Sequence, residues 1–394
     1  MNQKIIFIFL LAFLFYLTSQ TVVPGQSKDE IDALKKEIMK TKPGTSTFLL
    51  RGYAHSGLEI MDDNSSFVGG SFNPIFLWRQ SSKLLFESEL ELELEDGETV
   101  IGLEYANMSY FLNDYITLRL GKFLIPFGTF GERLHPRWIN RLPSNPLGYS
   151  HDEQVGPSSQ VGIEIRGAIP VLTGYGINYS IYLVNGPNLN DGSIEPEEAG
   201  KLHYDNFLDN NKNKAIGGRI GFLPLSDATL EIGFSGQFGK VGNTGSQYED
   251  VSAKLYAFDL SYVKMIKELK SIIDLKGQLN IVEVDNAEYV TGDDPNGMYS
   301  FDNVSKAYYG QISLKPAFVK NEILNHLEFV GRYSKLLLPS KAAWGGEKTQ
   351  LTFGINYWID WRTVVKFGYQ TITVDSNPGL PVTNSFLLHW SIGF

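Results

Sequence analysis

Leu84 to Glu95 reads LLFESELELELE, and apart from Leu85 and Ser88 it alternates between apolar and acidic residues. Successive side chains of a β-strand point to opposite faces, so the stretch predicts a strand with an apolar face and a charged face. The apolar face carries Leu84, Phe86, Leu90, Leu92 and Leu94, and the other carries Glu87, Glu89, Glu91, Glu93 and Glu95. Taken alone, it is either a surface strand of a soluble sandwich or a membrane strand with leucines towards lipid and glutamates towards a wet interior.

The first 44 residues have a different pattern. Lys4 precedes an apolar run from Ile5 to Leu17, and small and polar residues follow up to Gly25. This predicts a signal peptide over residues 1–25, because the run is shorter than the roughly 18 residues that a retained membrane anchor needs. Residues 26–44 carry apolar residues at spacings of three and four before Pro43-Gly44, which predicts a short helical periplasmic leader. That leader is either solvated or a small trimerising stub.

Composition excludes several classes of function. The 394 residues contain no cysteine, so disulfides, thiolate metal sites and a lipid anchor on cysteine are excluded. The net charge of −10 argues against nucleic acid as a partner. Acidic pairs such as Asp62-Asp63 and Asp293-Asp294 are explained by turn chemistry as well as by calcium binding. We therefore expect no cofactor and no metal.

From Thr45 onward the chain reads as strands without intervening helices. The predicted strands are 46–60, 69–80, 83–95, 98–111, 114–124, 159–169, 175–185, 213–223, 227–239, 251–264, 270–284, 305–317, 325–338, 347–358, 361–374 and 384–394, with a bulge in the fourth. Connections after even-numbered strands are short, and most of those after odd-numbered strands are long. Sorting of loops by end is typical of a transmembrane barrel. The predicted fold is all-β: an antiparallel transmembrane β-barrel of about 16 strands over residues 45–394.

Aromatic residues near the predicted strand ends fit this fold, because Tyr and Trp favour the two membrane interfaces. They are Trp78, Tyr110, Phe111, Tyr115, Tyr175, Tyr308, Tyr357, Trp358, Trp361, Trp390 and Phe394. The boundaries are coarse enough that some of them could instead belong to a core.

The longest connection, about residues 125–158, is the candidate constriction loop. It is rich in proline, aromatic and apolar residues, and it carries Arg133, Arg137 and Arg141. One hypothesis folds it into the barrel, with its arginines across from the glutamates of the third strand, so that opposed charges set ion selectivity. The alternative is an external cap whose arginines pair with nearby carboxylates or lipopolysaccharide. Apolar content needs a buried place, which favours the first hypothesis.

The face assignment of the strands predicts further charged side chains in the lumen. They are Arg51, Glu104, Arg119, Glu164, Arg166, Arg219, Glu231, Lys254, Asp259, Asp274, Lys276, Lys315, Glu328, Arg332, Arg362 and Lys366. A water-filled channel tolerates such residues and a packed core does not. The predicted pore-lining and selectivity residues are the three loop arginines with Arg119 and Arg166, facing Glu87, Glu89, Glu91 and Glu93.

Leu118 to Gly128, LRLGKFLIPFG, resembles the strand-then-loop motif of the phosphate-selective porin O and P family, and Arg51-Gly52-Tyr53 resembles that family's first strand. The terminal Phe394 matches the assembly signal of outer-membrane barrels. The resemblance implies a Gram-negative outer-membrane porin, typically trimeric, whose phosphate selectivity depends on lumen arginines and loop lysines. The loop here has three arginines and no lysine, and the third strand has five glutamates. This departure predicts a general or differently selective pore.

The leading hypothesis is therefore a porin for passive diffusion of small hydrophilic solutes or ions, and not an enzyme. The expected partners are membrane lipid, lipopolysaccharide, the barrel assembly machinery and further copies of the chain in a homotrimer. A closed-lumen binding or adhesion barrel is one alternative. A barrel enzyme is another, with His151-Asp152-Glu153 or His203 and Asp205 as its sparse candidates and no GxSxG-type element.

Overall fold

The computed structural model describes residues 47–61, 64–95, 97–150, 153–172, 174–290, 298–374 and 382–394. The signal peptide and the helical leader expected at residues 1–44 lie outside the described residues. Sixteen strands, numbered here β1 to β16, form one sheet. They are Thr47–Met61, Asn64–Arg79, Leu84–Glu95, Glu98–Phe111, Thr117–Leu124, Ser159–Leu172, Tyr175–Val184, Ala215–Leu223, Leu230–Lys240, Ser252–Ile266, Ser271–Val284, Asn303–Lys315, Leu327–Leu337, Glu347–Trp358, Thr363–Val374 and Thr383–Gly393.

The sheet closes on itself. Every strand pairs antiparallel with its neighbours in sequence, and β1 pairs with β16 from Tyr53 opposite Gly393 to Met61 opposite Ser385. The predicted all-β barrel of 16 strands is confirmed, and the predicted strand ends lie within three residues of the observed ends except at β2. That strand begins at Asn64, so the connection from β1 is as short as the one between β3 and β4.

Strand β3 shows why the alternation was informative. Phe86 and Leu94 point outward and are 39% and 60% exposed, whereas Glu89 points inward and is 2% exposed. The predicted bulge in β4 is present: Glu89 pairs with Tyr105 and Leu90 with Leu103, which leaves Glu104 as the extra residue. A barrel of this size thus keeps apolar side chains outside and carboxylates inside.

Most of the aromatic residues near strand ends point outward, as expected for an exterior belt. Trp78, Tyr110, Tyr115, Tyr175 and Trp390 are all exposed. Trp358 is an exception, and its assignment to the belt is wrong. It is 6% exposed and donates a hydrogen bond from Nε1 to Glu328 Oε2 at 2.9 Å, so it belongs to the inner wall.

The last residue completes the seam between β1 and β16. Phe394 N donates to Gly52 O at 2.9 Å, and Gly52 N donates to Phe394 O at 3.2 Å. A Cβ on Gly52 would lie 2.7 Å from the Phe394 ring, so the close approach requires glycine. The Phe394 ring also stacks on Phe72 with centroids 5.7 Å apart.

The long connections contain little regular structure. They include a π-turn at Phe130–Leu134, a 3-10 turn at Pro196–Glu198, and two hairpins, Asn188–Leu189 with Leu202–His203 and Glu288–Val290 with Met298–Ser300. The short helix α1, Glu322–His326, precedes β13. In the part of the chain that the structure describes, no helix is long and apolar enough to cross a membrane.

Apolar side chains from the long connections form a buried cluster against the inner wall. Its members include Phe127, Leu147, Leu202, Tyr289, Leu255 and Leu336, and Trp344 packs against it. Leu255 and Leu336 lie on barrel strands and face inward although they are apolar. Part of the barrel mouth is therefore filled by a hydrophobic core and not by water.

Candidate pore interior

The connection over residues 125–158 turns inward at its start. Gly128 adopts φ +67°, and a Cβ there would lie 2.1 Å from the side chain of Gln278. Gly128 N donates to Ser235 Oγ at 3.0 Å, and the next two backbone N–H groups donate to Gln278 Oε1 at 2.8 and 2.9 Å. Ser235 and Gln278 lie on β9 and β11, on the inner wall. The loop thus leaves β5 and crosses the interior.

The far part of the loop is held by strands β13 to β15. Arg332 Nη2 donates to Ser144 O at 2.7 Å, and Asn356 Nδ2 donates to Arg141 O at 2.7 Å. Lys366 Nζ donates to the backbone carbonyls of Arg137 and Asn140. These contacts place the loop inside the barrel against the inner wall, and not above it as an external cap.

Arg119 and Arg166, two of the predicted pore residues, meet in one ion network. Arg119 Nε lies 2.5 Å from Glu164 Oε2, and Arg166 Nη1 lies 2.6 Å from Glu132 Oε1. Burial alone would raise the pKa of the Glu132 carboxyl, but the neighbouring guanidinium groups, that of Arg166 first, lower it to about 2. Glu132 therefore stays ionised and ties the loop to β5 and β6.

The loop arginines 133 and 141 pair with carboxylates of other strands. Arg133 Nη1 lies 2.9 Å from Glu231 Oε2 on β9. Arg141 Nε lies 3.4 Å from Glu328 Oε1 on β13, and its Nη2 lies 3.8 Å from Asp274 Oδ2 on β11. The five arginines predicted to line the pore therefore do not form a single cluster. Arg133 and Arg141 form ion pairs with acidic residues on the part of the inner wall that the loop covers.

Arg219 forms the most enclosed ion group of the wall. Its Nη2 lies 2.6 Å from Asp259 Oδ1 and 3.0 Å from Glu231 Oε1, and its Nη1 donates to Asn178 Oδ1 at 2.9 Å. The Asp259 side chain is completely buried. Because Glu231 also holds Arg133, this group connects β8, β9 and β10 to the loop.

The glutamates of β3 occupy a different sector of the interior. Glu87 interacts electrostatically with Arg119 and Arg166, and Glu91 Oε1 accepts a hydrogen bond from Asn73 at 3.4 Å. Glu93 lies opposite Ser71 of β2. Glu87, near the start of β3, thus approaches the network of Arg119 and Arg166.

The structure differs from the sequence prediction at two charged residues, Lys254 and Glu132. Lys254 is exposed and pairs across strands with the outward-facing Phe238, so it does not line the lumen. Its assignment failed because the inward residues next to it, Ala253 and Leu255, are apolar. Glu132 was not singled out, although it is the acidic centre of the first ion network. Its only sequence signal is its position beside Arg133 in the loop.

Among the described residues, two of the candidate catalytic side chains lie against other ionisable groups. Glu153 forms an ion pair with Lys348, and His203 Nε2 lies 3.4 Å from Glu198 Oε2. His151 and Asp152 lie outside the described residues. Potential metal ligands from Glu195, Glu198 and His203 lie within 4.8 Å of one another, but Lys201 Nζ already sits 2.6 Å from Glu198 Oε1.

His135 is the loop residue that we expect to respond to acid. Burial lowers the pKa of its imidazole from 6.5 to about 4, and Nδ1 contacts Gly131 O at 2.5 Å. The unfolded chain binds this proton first, so stability should fall as pH drops from about 6.5 to about 4, by about 3 kcal/mol in total. We expect the unfolding midpoint in detergent to fall across that range, and the fall to be clearly smaller in His135→Gln. Parallel profiles for the two proteins would assign the loss to other groups.

Comparison with known proteins gives a likeness of fold. No protein-family model and no curated protein sequence matches the chain. The outer membrane channel DcaP of Acinetobacter baumannii superposes with a TM-score of 0.56 at 11% identity, over 90% of this chain and 99% of that one. An anion-selective porin from Comamonas acidovorans gives 0.56 at 11%, over 89% and 100%. OmpF of Salmonella typhi, solved with daunomycin, gives 0.56 at 12%, over 88% and 97%. The chain therefore has the fold of the outer-membrane porins.

Proposed function

We propose that this chain is an outer-membrane porin through which small hydrophilic solutes or ions diffuse passively. The observation that carries the proposal is the closed barrel of 16 strands with charged residues of both signs inside and apolar residues outside. A lumen of that size holds water, where an eight-stranded barrel would be filled by side chains. The inward loop would act as its constriction. No enzymatic step is part of this proposal.

The same proposal places the protein in the outer membrane of a Gram-negative cell, after removal of residues 1–25. Lipid and lipopolysaccharide would contact the apolar exterior, and Phe394 would be read by the barrel assembly machinery. A homotrimer is the proposed assembly. Among proteins of this fold, OmpT of Vibrio cholerae has been solved in a trimer form, with a TM-score of 0.51 at 11% identity over 89% of this chain.

Selectivity for phosphate is not part of the proposal, although the sequence resembles the phosphate-selective porin O and P family. Arg133 and Arg141 are neutralised by wall carboxylates, and Arg119 and Arg166 by Glu164 and Glu132. Arginines engaged in this way add little positive field to the open lumen. The proposed pore is general, with its ion preference set by the glutamates of β3 and by Arg137.

Single-channel recording in a planar bilayer tests this function. The full protein should give stable conductance steps, grouped in threes if it is a trimer, and a reversal potential under a salt gradient. A folded, heat-modifiable barrel that gives no steps would contradict the diffusion function.

A closed-lumen binding barrel is the second candidate, because one observation favours it. The apolar cluster of the long connections fills part of the mouth, where Tyr289 and Leu336 are completely buried. Absence of conductance steps would support this candidate, and steps of ordinary porin size would exclude it.

A further inference from the structure

Three cationic side chains converge on one turn of the inward loop, residues 137–145. Arg137 Nη1 donates to Pro143 O at 3.2 Å and to Asn145 Oδ1 at 3.4 Å. Arg332 Nη2 donates to the carbonyl and the hydroxyl of Ser144 at 2.7 and 3.0 Å. Lys366 Nζ donates to Asn140 O at 2.5 Å. All these acceptors are neutral, so none of them balances the charge of the three cations.

Two of the three cations are almost completely enclosed. Arg332 and Lys366 are each 1% exposed. Charged side chains are rarely buried to this extent without a partner of opposite charge. Glu328, the carboxylate that acts on Lys366, is already engaged by Arg141 at 3.4 Å and by Trp358 at 2.9 Å. Arg332 and Lys366 also repel Arg137, so the group carries a surplus of positive charge.

Arg332 has donors that nothing in the described chain satisfies. Its Nε and Nη1 are enclosed and make no hydrogen bond with any described residue. The hydroxyls of Tyr309 and Tyr149 are enclosed and unpartnered in the same way, and their rings lie 5.4 Å apart. Tyr309 interacts electrostatically with Arg332. A guanidinium group only donates hydrogen bonds, so whatever satisfies it must be an acceptor.

We propose that a small inorganic anion binds between the loop turn 137–145 and strands β12 to β15, on Arg332 Nε and Nη1. Arg137 and Lys366 supply the surrounding positive charge, and the Tyr309 hydroxyl is a further donor. The Tyr309 ring packs edge to face with Phe130 and Tyr149, so its position at the site is fixed. Charge-assisted hydrogen bonds to the anion offset the cost of burying the guanidinium and fix the position of the turn.

Anion-dependent stability tests this site independently of conductance. The thermal unfolding midpoint of the full protein in detergent would be measured against chloride and, separately, inorganic phosphate. Ionic strength is held constant with a bulky sulfonate that the site excludes. We expect the midpoint to rise and to saturate with at least one of the two ions, because a ligand that binds only the folded state stabilises it. A rise with chloride alone would indicate a site for a spherical ion. A rise with phosphate would indicate a site for a larger oxyanion.

Variants assign the effect to the proposed residues. Arg332→Met should weaken the apparent anion affinity about tenfold or more, since it removes both donors, and Lys366→Met should weaken it less. Arg51→Met removes an exposed arginine and should leave the saturable rise unchanged. A midpoint that does not respond to either ion, or that responds equally in Arg332→Met, overturns the proposal. If Arg332→Met does not fold, Tyr309→Phe, which removes one hydroxyl, should still lower the affinity, and an unchanged affinity in that variant also overturns it.

Discussion

Replacing Arg219 by methionine should lower the free energy of unfolding by about 3–5 kcal/mol, the usual effect of removing one partner from a buried ion pair. The side chain of Arg219 is 2% exposed and holds Asp259, which is fully buried, with two hydrogen bonds of 3.1 and 2.6 Å. Without the guanidinium, Asp259 is left as an enclosed carboxylate with no cation. Urea or thermal unfolding of the folded barrel in detergent measures the change.

Two further variants separate this effect from a general loss of charge. Lys240→Met removes an ion pair with Asp250 in which the two side chains are 40% and 95% exposed, and it should cost less than about 1 kcal/mol. Arg219→Met combined with Asp259→Leu removes both buried charges and should recover most of the lost stability, because Glu231 keeps Arg133. Equal losses in Arg219→Met and Lys240→Met would show that the Arg219 site is hydrated and its charges are screened.

The strand pattern was predictable because the physics that sets it is local. A strand with lipid outside and water inside must alternate, and LLFESELELELE alternates at every position except Leu85 and Ser88. The sequence of β4 alternates poorly, which predicts a bulge there, and the bulge is centred on Glu104. The same rule failed at β10, where Leu255 and Ala253 face inward and Lys254 faces outward. There the loops cover the inner wall, so the inner face is apolar and alternation no longer distinguishes the two sides.

The ion pairs inside the barrel were not predictable from spacing. Arg133 meets Glu231 and Arg141 meets Glu328 through the path of the loop across the lumen, and the two pairs are separated by 98 and 187 residues in the sequence. The inward course of the loop depends on the turn at Gly128. It also depends on the side-chain oxygen of Gln278, which accepts hydrogen bonds from the two backbone N–H groups that follow Gly128. The sequence showed which strand residues face inward, such as Glu231 and Arg332. It could not show which of them the loop would reach.

Ion selectivity should respond in opposite directions to two changes of lumen charge. Glu91→Gln with Glu93→Gln removes negative charge from the inward face of β3 and should shift permeability towards anions. Arg137→Glu replaces a loop cation whose hydrogen-bond acceptors, Pro143 O and Asn145 Oδ1, are neutral, and should shift permeability towards cations. One charge acting at about 4 Å in water is worth about 1 kcal/mol, which corresponds to roughly a fivefold change in permeability ratio. Reversal potentials under a salt gradient measure both shifts.

Arg133→Gln is the informative control, since its guanidinium is paired with Glu231 at 2.9 Å. Arg133→Gln removes one positive charge, but Glu231 keeps Arg219 as a partner at 3.0 Å. We therefore expect a large shift towards cations from this variant only if the ion pair itself borders the ion path. A large shift from Arg137→Glu with little from Arg133→Gln would place the ion path between the β3 glutamates and the 137–145 turn. If Arg137→Glu leaves the permeability ratio unchanged, the path runs elsewhere and the turn serves only to hold the loop against β13 to β15.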